Sequence, residues 1–234
     1  MDWLFASIDA ARAHEVGAFI SWHGRTMALA WGGLAPLGVL IARFWKVTPG
    51  QDWPNELDNQ FWWRSHLMLQ WSAFAAFVAG LALILLNDQL TPAGWWHRTA
   101  GWGLAGLASV QILLGLFRGT KGGPTDADMR GDHFDMTPWR RMFEHAHKSL
   151  GYLLLAIGAF GVVTGMWAAN APVWMWLGLG LWWAALALIF IRMQTQGRAV
   201  DTYQAIWGPS PDLPGNRMKP IGWGITRPNH EPAE

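Results

Sequence analysis

Residues 149–191 read SLGYLLLAIGAFGVVTGMWAANAPVWMWLGLGLWWAALALIFI, with no Asp, Glu, Lys or Arg among them. About 20 apolar residues already cross the core of a bilayer. The stretch is therefore long enough for two spans. Asn170-Ala171-Pro172 divides it, because asparagine and proline favour a turn. Helices are predicted over 148–168 and 173–193.

Three more apolar stretches precede this pair. One runs from Gly17 to about Trp45 and carries no charge between Arg25 and Arg43; the others lie between Arg64 and Asp88 and between Arg98 and Arg118. Backbone polar groups in lipid must satisfy one another, so spans this apolar are helices and not open strands. The expected fold is an all-α membrane protein: a four-helix transmembrane bundle, a fifth transmembrane helix, and a C-terminal tail rich in Pro and Gly. The domain reading is a polar lead at 1–16 with an interfacial helical turn, a transmembrane domain at 17–193, and an ordered-to-loose cytoplasmic tail at 194–234. Loop 46–60 is polar, loop 87–96 is short, and loop 118–142 is long and Asp-rich.

Composition agrees. Hydrophobic residues make up 52% of the chain and charged ones 14%, where a soluble domain has roughly a quarter charged. Seven of the 19 Trp, Trp22, Trp45, Trp62, Trp63, Trp95, Trp96 and Trp139, lie near span ends, as in an aromatic belt. A net charge of +1 gives no reason to invoke nucleic acid. There is no Cys, which excludes disulfides, thiolate zinc sites, iron–sulfur clusters and covalent c-type haem. No signal-peptide pattern is legible, since Asp2, Asp9, Arg12 and Glu15 stand where a basic stub and apolar core belong. Fourteen of the 17 Lys and Arg fall on the side of loops 46–60 and 118–142 and the tail. The positive-inside rule then puts the N-terminus outside, in the periplasm of a bacterial inner membrane, and the C-terminus in the cytoplasm.

Four histidines stand near the starts of four apolar stretches: His23, His66, His97 and His147. Alternating chain direction sorts them into His23 with His97 near the outer face and His66 with His147 near the cytoplasmic face. Ionisable groups inside a membrane are functional candidates by default. Two imidazoles reaching inward from facing helices can grip one iron from both sides. Four helices then hold two non-covalent bis-histidine haems, with irons roughly 15–20 Å apart. Both axial positions are filled, so such haems carry single electrons and leave no open site for oxygen.

Gly101 and Gly151 each follow a histidine by four, which lets a flat macrocycle lie against the backbone; small residues also serve close helix packing. Gly158, Gly161 and Gly165 continue that face. Arg25, Arg98, Arg64 and Lys148 flank the histidines and suit haem propionates, though basic flanks also set topology. Met27 reads as packing. His145 competes with His147, but two helical positions mean about 200° of rotation, so both cannot face one iron. His14, His133 and His230 lie in the lead, the Asp-rich loop and the tail, and are not read as ligands.

The stretch His23-Gly24-Arg25-Thr26-Met27-Ala28-Leu29-Ala30-Trp31 resembles the opening of the cytochrome b561 domain, including the form attached to DOMON domains. His66 after Phe61-Trp62-Trp63, then His97-Arg98-Thr99-Ala100-Gly101 and His147-Lys148-Ser149-Leu150-Gly151, are similar to its other three haem histidines in order. The resemblance covers residues 20–193. Ala205-Ile206-Trp207-Gly208 resembles the segment after the last helix in bacterial and DOMON-linked members. The resemblance implies a five- or six-helix protein with two haem b groups that moves electrons across a membrane. In eukaryotic members ascorbate is often the donor, with monodehydroascorbate or ferric iron as acceptor. No DOMON-like stretch and no extra N-terminal helix is legible here.

The expected function is therefore di-haem b transmembrane electron transfer. Its partners are the lipid bilayer and a redox donor and acceptor: quinol, an ascorbate-like reductant, ferric iron or a redox protein. A homodimer is compatible with this reading. The alternatives are a membrane oxidoreductase acting on quinol, superoxide or a ferric chelate, a haem-binding subunit of a dehydrogenase, and a non-haem transporter.

Overall fold

The structure, a computed structural model, describes residues 2–12, 14, 16–87 and 94–228. The break at Asp88, most of loop 87–96, Glu15 and His230 lie outside the described residues. Among those described, five helices are long and apolar enough to cross a membrane: α1 (Ala18–Phe44), α2 (Phe61–Leu85), α3 (Trp95–Leu116), α5 (Pro138–Ala168) and α6 (Val173–Thr195). Two short helices complete the set, α4 (Asp132–Asp135) and α7 (Thr202–Trp207). The chain is an all-α integral membrane protein.

The chain forms two compact units. The first gathers the chain up to Gly38, Met68–Ser109 and Tyr152–Ile189; the second gathers Val39–Leu67, Val110–Gly151 and the chain from Phe190.

In the first unit, α1 widens into a π-helical segment at Ala28–Leu34. Such a bulge disturbs the regular carbonyl pairing. Here the Gly32 carbonyl accepts from two indoles of α6, Trp182 Nε1 at 2.9 Å and Trp183 Nε1 at 3.0 Å. In lipid that satisfaction must come from protein, and it keys α6 to α1. The turn between α5 and α6 falls where Asn170 and Pro172 predict it. Asn170 has φ of 49°, a left-handed conformation that asparagine tolerates. Its buried amide donates to the carbonyls of Asp9 and Arg12. The lead contains a short 3₁₀ turn at Asp2–Leu4 and is stapled to this turn by Ile8 and Val173 backbone bonds.

The second unit departs from expectation in two places. α5 begins ten residues before the predicted start. Pro138 takes the first helical position, which needs no N–H partner, and Thr137 Oγ1 accepts from the Arg140 N–H at 3.3 Å. The added turns are held by charge at i, i+4 spacing: Arg140 Nε lies 3.1 Å and Lys148 Nζ 2.7 Å from the buried Glu144 carboxylate. The tail is also better packed than its composition suggests. All six residues of α7 are buried. Tyr203, Ile206 and Trp207 form a core with Met136 and Ile221, on one helical face at i, i+3 and i+4. Asp201 caps α7 and pairs with Arg227 at 2.6 Å. Gly123 has φ of +108° and lies against the Trp207 ring, where a Cβ would come within 2.1 Å.

Candidate haem-ligand pairs

His23 and His97 meet in the first unit, with ring centroids 6.0 Å apart and planes at 84°. His23 Nδ1 lies 2.8 Å from the Gly80 carbonyl. His97 Nδ1 lies 3.0 Å from the Gly161 carbonyl and 3.2 Å from Thr164 Oγ1. The Thr164 hydroxyl points its own proton back at Phe160 and Gly161, so its free lone pair faces His97. Carbonyls accept only, so Nδ1 carries the proton on both rings. That leaves each Nε2 lone pair available to a metal, the usual role of the oxygen behind a metal-binding histidine.

Glycine makes this approach feasible. A Cβ on Gly80 would come within 2.5 Å of Thr26 Oγ1 and 3.1 Å of Met27 Cε, and one on Gly165 within 2.9 Å of His97 Cε1. Met27 is thus a packing residue against Gly80, as read from sequence.

His66 and His147 meet in the second unit, with centroids 6.4 Å apart and planes at 73°. Their surroundings are aromatic. Trp63 stacks on His66 at 6.4 Å and 28°; Phe143 lies 5.1 Å from His147 at 32°. His147 Nδ1 is buried without a hydrogen-bond partner among the described residues. The Gln111 amide donates to the His147 carbonyl at 3.0 Å. His145 is exposed, so the structure turns His147, not His145, toward His66.

An imidazole nitrogen binds a metal at about 2 Å, so two rings gripping one ion from opposite sides have centroids about 6 Å apart. Both pairs stand at that spacing. The donor set of two neutral imidazoles per centre suits the iron of a porphyrin.

The other residues singled out in the sequence are placed less directly. A Cβ on Gly101 would meet nothing within 4 Å, whereas on Gly151 it would meet Gln111 Nε2 at 3.3 Å. Gly151 therefore makes room for the glutamine beside His147. Arg25 is exposed and lies over the Trp22 ring at 5.0 Å. Arg64 and Arg98 are exposed. Lys148 donates to Glu144 and to the Ile221 carbonyl at 2.8 Å, which ties it to the tail. Thr164, Gln111, Phe143 and Arg118 were not singled out, and Trp63 only as part of the aromatic belt and of the aromatic run before His66. Threonine or glutamine in an apolar helix carries no signal of which carbonyl or ring it meets.

A buried polar cluster lies outside the spans of this second unit. His133 is 1% exposed, with Glu144 Oε1 3.4 Å from its Nε2 and the rings of Tyr203 and Trp207 about it. Burial first, and Arg140 next, push its pKa down to about 3, so it is neutral and no ion pair forms. Lys46 is buried and donates to the Arg43 and Val200 carbonyls. Burial, with Lys148 nearby, lowers its pKa to about 7.

Among known proteins, the chain is 25% identical over 222 residues to a cytochrome b561 and DOMON domain-containing protein of Arabidopsis thaliana, covering 90% of this chain and 48% of that protein. A second such protein of Arabidopsis thaliana is 33% identical over 98 residues, 41% of this chain and 23% of its own length. The chain is similar over most of its length to a cytochrome b561 domain protein. It is also 31% identical over 147 residues, 62% of the chain, to ferric-chelate reductase 1 of Bos taurus, of which it covers 22%. The chain thus spans about half or less of the length of these curated relatives. No family model matches it, and no solved structure matches it. The likeness to cytochrome b561 proteins implies haem b, and two facing imidazoles are a donor set that suits it.

Proposed function

We propose that the chain binds two haem b groups, one between His23 and His97 and one between His66 and His147, and passes single electrons from one to the other across the membrane. The observation that carries this reading is the pair of facing imidazoles in each unit, with centroids 6.0 and 6.4 Å apart. A bound haem supplies a one-electron couple, tuned by its axial ligands and their hydrogen bonds. The protein's part would be to present two imidazoles at each centre, with His23 and His97 held in one tautomer by carbonyls behind Nδ1, and to exclude water with apolar spans.

The Lys and Arg bias supports a periplasmic N-terminus and a cytoplasmic C-terminus in a bacterial inner membrane. The domain boundaries we propose are a lead at 1–16, the transmembrane domain at 17–193 and a tail at 194–234, the last packed onto the second unit. The likeness to ferric-chelate reductase 1 favours a ferric chelate as terminal acceptor, with quinol or an ascorbate-like reductant as donor. A homodimer is compatible with this scheme.

The test is haem quantitation by pyridine haemochrome on purified protein, with His97→Ala and His147→Ala. Two b haems per chain are expected in the wild type and one in each variant. Retention of both in His97→Ala would sink the pairing. Reduction of a ferric chelate by the pre-reduced protein checks the acceptor.

A further inference from the structure

Arg118 lies just past the end of α3, and its guanidinium sits 4.0 Å over the Trp63 ring. Trp63 in turn stacks on His66. An arginine, an indole and a candidate iron ligand thus form one stack within the second unit. Arg118 is half-buried, yet among the described residues no acceptor takes any of its side-chain N–H groups and no carboxylate reaches ion-pair distance. Its main-chain carbonyl accepts from Arg140. The nearby Asp126 carboxylate is turned to the Gly122 N–H at 3.1 Å.

Arginine does not deprotonate in proteins, so this charge stays and must be compensated. The surroundings disfavour it: burial first, and the like charge of Arg140 second, lower its pKa, with only Asp126 working against them. Five donors in a planar fork fit a planar carboxylate or a phosphate in two-point fashion. Of the other basic residues of this unit, Arg64 is exposed and three more are already paired. Lys148 is held by Glu144 and Ile221, Arg140 by Glu144, and Lys121 by Asp58. Contact with Trp63, the neighbour of His66, fixes the plane of the fork, and its N–H edge has no acceptor among the described residues.

We propose that Arg118 binds a propionate carboxylate of the haem held by His66 and His147, with Trp63 as the plate that positions it. This rests on the two-haem reading above. Arg118 was passed over in the sequence because a basic residue at a span end reads as a topology signal, and Arg64 and Lys148 stood closer to the histidines in the chain.

The test compares wild type, Arg118→Gln and Arg118→Lys in nanodiscs of zwitterionic lipid. The readouts are the midpoint potential of each haem and the rate of haem transfer to apomyoglobin. In Arg118→Gln the potential of the His66/His147 haem falls, because a cation that favours the extra electron is gone. That haem also leaves about tenfold faster or more, as loss of a charge-assisted hydrogen bond requires. The His23/His97 haem is unchanged. Arg118→Lys keeps most of the potential and loses part of the retention. Identical potentials and transfer rates in wild type and Arg118→Gln, with two haems present in both, overturn the proposal and leave the two-haem reading intact. An effect that appears only after anionic lipid is added assigns the fork to a lipid phosphate and also overturns it. A wild type without haem at His66 and His147 overturns both readings.

Discussion

His23 and His97 have oxygen behind them. Each Nδ1 meets a glycine carbonyl, and His97 has the Thr164 hydroxyl as well. At the second pair Trp63 stacks on His66 and Phe143 lies beside His147, and His147 Nδ1 has no acceptor among the described residues. The ring separations nearly agree, at 6.0 and 6.4 Å. One geometry is thus reached by two means. The first pair is oriented by backbone that glycines bring close. The second is oriented by aromatic packing, with Gln111 on the main chain of His147 and a charged, tail-covered cluster outside the spans. Oxygen behind an imidazole makes it a stronger donor to a metal. His23 and His97 are therefore expected to be stronger donors to a metal than His147.

The largest expected effect breaks the first pair by filling its glycine. Gly165→Val places a Cβ 2.9 Å from His97 Cε1, closer than the two groups tolerate, and the ring must leave its place. Haem content drops from two per chain to one, and the remaining haem keeps its potential and spectrum. Gly178→Ala is the control, since a Cβ there meets nothing within 4 Å. Gly151→Ala tests the other pair more gently. Its Cβ would press on the Gln111 amide at 3.3 Å, and both haems are expected to stay.

A smaller effect separates the units by acid. His133 belongs to the second unit, faced by Arg140, Glu144, Lys148 and Lys121, and stays neutral in the fold down to a pH of about 3. The unfolded chain takes up that proton near pH 6.5. Between these values the unfolded state binds more protons at lower pH than the folded state does, so stability falls as pH drops from about 6.5 toward about 3. The loss is of order a few kcal/mol. Melting in detergent at pH 7 and pH 4, followed by the absorbance of each haem, should show the His66/His147 haem lost first in acid. His133→Phe should flatten that dependence; an equal acid loss in the variant would assign it elsewhere. Lys46 acts in the opposite range. Its pKa of about 7 against about 10.4 unfolded means stability rises as pH climbs between these values.

The sequence was informative where chemistry and period coincide. His147 was separable from His145 because a helix turns 100° per residue, and the structure has the first facing His66 and the second exposed. Asn170 marked the turn because few other residues accept φ of 49°. The packing of the tail was not legible because Asp201, Thr202 and Gln204 look like loop residues, yet all three are buried, and Asp201 is satisfied by Tyr203 N–H and Arg227. Long-range partners of that kind leave no local pattern. Arg118 and Thr164 were hidden for a similar reason. An arginine at a span end and a threonine within one have ordinary local roles, and only the fold shows which ring each one meets.

Thr164 gives the finest test of the contrast between the pairs. Thr164→Val keeps the shape of the side chain and removes one of two acceptors from the His97 Nδ1–H, leaving the Gly161 carbonyl at 3.0 Å. A weaker acceptor set makes His97 a weaker donor to iron, which favours the reduced state. The potential of the His23/His97 haem should rise. One hydrogen bond is worth about 1 kcal/mol net, and a one-electron couple moves 59 mV for each tenfold change in equilibrium, so the rise is roughly 40 mV. Thr164→Ser keeps the acceptor and should not shift it. Gln111→Leu at the second pair removes a bond to the His147 main chain, not to its ring, and should move that haem's potential much less. A redox titration that found the larger shift in Gln111→Leu would reverse the assignment: the second pair, and not the first, would then be the one tuned by hydrogen bonds.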